Sequence, residues 1–104
     1  MNNLYTVKKA ENCFADAKSF AYTLHLPINE RMLNKLALWG ELTVRRNFRR
    51  PFFMLKIDEE QQVKGILDEN ILKAGFSKEN WEKQKEQFEQ KLSDLLVSME
   101  DTNE

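Results

Sequence analysis

Four arginines and three phenylalanines fall between positions 45 and 53: Arg45, Arg46, Phe48, Arg49, Arg50, Phe52 and Phe53. Trp39 lies just upstream. A guanidinium is a planar fork that pairs two-pronged with carboxylate or phosphate and stacks on rings. Phenylalanines beside it can stack the bases of a single nucleic-acid strand. Four arginines on phosphates would make such a contact strongly salt-dependent. Trp, Arg and Phe are also the usual anchors of protein interfaces. A third reading has the phenylalanines in a core and the arginines in solvent. The reading adopted is a protein-binding surface of Trp39, Arg45, Arg46, Phe48, Arg49, Arg50, Phe52 and Phe53. A nucleic-acid contact through the same stretch is the alternative.

Other reactive residues are sparse. The chain has one histidine, His25, and one cysteine, Cys13. On a shared helix they would stand roughly 18 Å apart, too far to act as a nucleophile and its base. Cys13 reads as a small core residue between Phe14 and Ala17, and His25 as a helix C-cap favoured by the dipole. Zinc needs clustered Cys and His, and a carboxylate di-metal site needs Glu-x-x-His on two helices; neither pattern occurs. The Asp58-Glu59-Glu60 run reads as a solvated helix start. Gly40, Gly65 and Gly75 are isolated, so no phosphate-cradling loop is present. The expectation is a non-enzymatic protein without metal or cofactor.

The chain of 104 residues is 41% hydrophobic and 32% charged, with 3 Gly and 2 Pro. That balance suits a single helix-rich globular domain. No apolar run approaches the roughly 20 residues of a membrane span, and no leader pattern is read at the start. A single cysteine suits a reducing compartment. The expected location is therefore the cytoplasm, with no membrane contact. The net charge of −1 conceals a split. Residues 1–57 carry a net +6 and residues 58–104 a net −7, and no acid occurs between Glu41 and Asp58. Such asymmetry suits charged partners, or a homodimer joining the basic N-terminal half to the acidic C-terminal helix.

Helical spacing predicts the elements. Cys13, Phe14, Ala17, Phe20, Ala21 and Leu24 form one stripe, predicting a helix from about Ala10 to His25 that stops before Pro27. A second helix is capped by Asn29 and runs through Met32, Leu33, Leu36, Trp39, Thr43 and Val44 towards Pro51. Ala37 and Gly40 would mark a close helix crossing. A third begins at Asp58 with Gln61 as its capping-box partner, buries Val63, Ile66, Leu67, Ile71 and Leu72, and ends at Gly75. The fourth and longest is capped by Ser77. It buries Trp81, Phe88, Leu92, Leu95, Leu96 and Met99 along a seam that is narrow from Glu82 to Lys91. The segment from Pro51 to Ile57 resists assignment by periodicity. A short β pair between residues 5–7 and 53–56 is an option.

The step Gly75-Phe76-Ser77 followed by a helix, with Trp81 beyond, is similar to the turn of the helix-turn-helix in AraC-type regulators. It departs at the recognition helix, where Glu79, Glu82, Glu86 and Glu89 would repel phosphates. Only a tight inter-helix turn at Gly75 is carried over. The expected fold is all-α: three to four helices in one domain over residues 1–99, with a frayed acidic tail at 100–104. The expected function is that of a small adaptor, regulatory protein or accessory subunit. Reversing Arg46 and Arg49 to Glu should weaken partner binding by more than about tenfold while the circular dichroism stays that of the native protein. A titration giving unchanged affinity would remove the arginines from the interface.

Overall fold

Strand alternation, not helical spacing, decides most of this chain. The structure, a computed structural model, describes residues 4–10, 18–47 and 49–101. Six strands are present among them: β1 (Tyr5–Ala10), β2 (Lys18–Leu24), β3 (Glu41–Arg45), β4 (Phe52–Lys56), β5 (Gln62–Ile66) and β6 (Ile71–Phe76). They form one antiparallel sheet in the order β1-β2-β6-β5-β4-β3. A short helix α1 (Glu30–Leu36) joins β2 to β3, and a long helix α2 (Trp81–Asp101) closes the described chain. The fold is therefore a sheet with two helices, which corrects the all-α bundle.

The physical reason lies in residues that fit both periods. Phe20, Ala21 and Leu24 satisfy a helical stripe. Phe20, Tyr22 and Leu24 also alternate, and all three face the helices, with Tyr22 and Leu24 fully buried. Ala21 is buried on the opposite side, so both faces look apolar. Residues 11–17, which include Cys13, Phe14 and Ala17, lie outside the described residues. In the second predicted helix the N-cap is correct: Asn29 Oδ1 accepts from Met32 N at 2.9 Å. The helix ends at Leu36, and Leu42 and Val44 then point inward between Glu41, Thr43 and Arg45. β-Branched residues favour that pleated arrangement.

The third predicted helix is the β4–β5 hairpin and β6. Asp58 and Gln61 do interact, but within a turn: Asp58 Oδ1 accepts from Glu60 N and Gln61 N, and its Oδ2 from Gln61 Nε2. The Asp58 carboxyl is partly desolvated. These hydrogen bonds, with nearby Lys91, outweigh that and lower its pKa. The same side-chain chemistry that caps a helix here closes a hairpin. The β5–β6 turn has no glycine. Asp68 takes the left-handed conformation instead, at φ 72°, which Asp tolerates better than most residues. Gly75 lies within β6, between Ser19 and Gln62 on its neighbours, and ends no helix.

The predicted short strands exist but do not pair with each other. β1 pairs with β2, and β4 lies between β3 and β5. The long C-terminal helix is as expected, although it begins at Trp81 and extends to Asp101. Ser77 Oγ accepts from Glu79 N and Asn80 N in the lead-in turn. Residues 102–104 of the expected tail lie outside the described residues.

Both helices pack on one face of the sheet. Tyr22, Leu24, Phe53, Leu55, Val63, Leu72, Ala74 and Phe76 meet Ile28, Met32, Leu33 and Leu36 from the α1 side. They meet Phe88, Leu92, Leu95, Leu96 and Met99 from α2. Phe88 is the hub, with ring centroids 5.1 Å from Tyr22, 5.7 Å from Phe76 and 5.8 Å from Trp39. Gly40 lies where backbones nearly touch. A Cβ there would stand 2.4 Å from Lys56 O and 2.8 Å from Ile57 Cα. Gly40→Ala should therefore cost about 1–3 kcal/mol, read as a lower urea midpoint. An unchanged midpoint would mean the strands do not cross there.

Candidate functional site

The structure divides the predicted surface between two faces. Phe53 is fully buried in the core opposite Val44 and Gly65. Trp39 is half-buried on the helix side, edge-on to Phe88, with Lys91 Nζ 6.0 Å over its ring. Neither can anchor a partner on the arginine side. Arg45 ends β3, and Arg46, Arg49 and Arg50 follow in the β3–β4 loop, all exposed. Phe48 lies outside the described residues. Arg46 Nη2 pairs with Glu30 Oε1 at 2.5 Å, and Arg50 pairs with Glu69. Arg45 and Arg49 make no ion pair among the described residues. Exposed pairs of this kind contribute little to stability, so the loop arginines are available to a partner.

The residues sequence reasoning missed lie on the other side of the sheet. Successive pairings set one row across its outer face: Lys8, Ala21, Lys73, Lys64, Met54 and Thr43. The neighbouring row sets Ile66, Phe52 and Arg45 side by side, and Ile71 lines the same depression as Ile66 and Phe52. Met54 and Ile71 are exposed. Arg50, Phe52, Met54, Lys64, Ile66, Ile71 and Lys73 line, with Glu69, a depression of about 470 Å³. Its floor is apolar and its cations stand around it. Lys64 and Lys73 are direct cross-strand partners. Two cations are thereby set side by side on this face. The signal was present as alternating Lys64/Ile66 and Ile71/Lys73, but helical spacing assigned both isoleucines to a core.

The remaining polar groups are structural. The fully buried Tyr22 donates its hydroxyl to Glu89 Oε2 at 2.9 Å, and Lys85 Nζ lies 2.7 Å from the same oxygen. Burial first, then the Glu89 acceptor and its charge, then Tyr5, push the Tyr22 phenol far above its ordinary range. His25 follows β2 rather than ending a helix, and its Nδ1 lies 3.0 Å from Leu4 O. Among the described residues no group of three or more His, Cys, Asp or Glu could hold a metal ion. No helix among them is long and apolar enough to cross a membrane.

No family model, curated protein or solved structure matches the chain. The site's chemistry is thus the guide to function. Stability should separate core from surface. Phe53→Ala should cost about 3–5 kcal/mol, whereas Arg49→Ala should stay within about 0.5 kcal/mol. Urea melts showing the reverse order would contradict this partition of the stretch.

Proposed function

We propose that this is a non-enzymatic adaptor or accessory protein of the cytoplasm that binds an acidic, partly apolar segment of another protein. The binding surface is the outer face of β4, β5 and β6, with the β3–β4 loop arginines at its rim. The observation that carries the reading is the opposition of Lys64 and Lys73 beside Phe52, Met54, Ile66 and Ile71. The two cross-strand lysines concentrate positive charge at one point of this face, which suits an anionic partner. The apolar floor then supplies the contact area that charge alone lacks.

The side chains favour a protein over a nucleic acid. Stacking of bases needs ring faces. Of the rings first assigned to this surface, Trp39 and Phe53 point to the helix side, and Phe52 is the one described ring in the depression. Its other apolar members are aliphatic or thioether side chains, which suit leucine-like partners. The acidic helix α2 packs on the opposite face, so it does not repel an acidic ligand held here.

A short fluorescent peptide alternating glutamate with leucine is the probe. It should bind, and the Lys64→Glu/Lys73→Glu double variant should lose about tenfold or more in affinity with unchanged circular dichroism. Equal binding by the variant would refute the surface. Preference for a single-stranded oligothymidylate, with a steep linear log–log salt dependence, would overturn the protein reading.

A further inference from the structure

Among the described residues the sheet ends in two edge strands, β1 and β3, and their sequences treat a second copy differently. β1 reads Tyr-Thr-Val-Lys-Lys-Ala. It carries two lysines and no acid, so two copies set side by side would bring like charges together. Charges of this kind blunt an edge. β3 reads Glu-Leu-Thr-Val-Arg. Reversed, its charges change places about Thr43.

The backbone directions agree with pairing through β3. Ile57 N donates to Gln61 O and Leu67 N to Pro51 O. Odd-numbered residues of β4 therefore turn their N–H and C=O groups towards β5. Hydrogen-bonding direction alternates along an antiparallel strand, so Phe52, Met54 and Lys56 turn theirs towards β3. They meet Arg45, Thr43 and Glu41. Leu42 and Val44 turn their N–H and C=O away from β4, along an edge that no other described strand pairs with.

We propose that this edge joins a second copy of the chain, β3 to β3, antiparallel about a two-fold axis through Thr43. In that register Leu42 of each copy exchanges both backbone hydrogen bonds with Val44 of the other. Glu41 of each lies opposite Arg45 of the other, on the outer face. Thr43 faces Thr43 across the axis. Leu42 and Val44 are half-buried, and the second copy extends their apolar face. Leu38, 85% exposed and just ahead of β3, is the most exposed large apolar side chain among the described residues. It lies in the turn that leads into this strand, beside Lys35, Trp39, Lys91, Asp94 and Leu95. The interface is isologous, as two-fold symmetry requires, and it merges two sheets into one. Its short strands make the dimer weak and concentration-dependent.

Sedimentation velocity of the full chain over a concentration series tests this, with Glu41→Arg and Arg45→Glu as the variants. The wild type should shift reversibly towards twice its 12.4 kDa mass. Each variant alone sets like charges opposite at both ends and should raise the dissociation constant about tenfold or more. An equimolar mixture of the two variants should recover the dimer. At one end of the mixed interface the introduced arginine meets the introduced glutamate, and at the other the native Arg45 meets the native Glu41. That recovery separates edge pairing from misfolding. A wild type that stays monomeric throughout, variants that dimerise as well as it does, or a mixture no tighter than its components would each overturn the proposal.

Discussion

Phe88 holds the two layers of this protein together. It sits mid-helix on α2 and meets Tyr22 and Phe76 of the sheet as well as Trp39. A sheet stable in water needs one apolar face covered. Here α1 and α2 both cover the same one. Rings that meet edge to face gain a modest attraction beyond the area they bury, and three such contacts converge on one residue. The Tyr22 hydroxyl, which would be stranded under that layer, is satisfied by Glu89, and Lys85 balances the carboxylate.

Among the described residues no helix covers the outer face of β4, β5 and β6, where the cations and apolar side chains of three strands converge. The charge split along the sequence is a poor guide to this surface. Lys64 and Lys73 belong to the acidic half of the chain, yet they stand beside Arg50 and Phe52 from the basic half. Hairpin connectivity mixes the halves. The acidic character of α2 is placed behind the sheet rather than beside the site.

The long helix was legible because its seam of Phe88, Leu92, Leu95, Leu96 and Met99 repeats over a 21-residue element, longer than any coincidence of strand alternation. The start of α1 was legible through Asn29. Beyond the two short stretches at 5–7 and 53–56, the strands were not, for identifiable reasons. Each has only 5 to 7 residues, too few to separate a period of two from one near four. Their turns use Asp58 and Asp68 in place of the glycine pairs that usually announce hairpins. Ile66 and Ile71 are apolar on an open face, which a rule of buried apolar residues assigns to the core. Of the predicted site, the four arginines are exposed, while Phe53 turns inward by strand alternation and Trp39, in the turn before β3, packs edge-on against Phe88.

Under the proposed function the outer sheet face, and not the helix layer, receives the partner. The most direct measurement is a ¹⁵N amide spectrum of the full chain recorded while the glutamate–leucine peptide is added. The shifts should concentrate at Phe52, Met54, Lys64, Ile66, Ile71 and Lys73. Shifts concentrated on the exposed positions of α2, with those six residues unmoved, would contradict the proposed function.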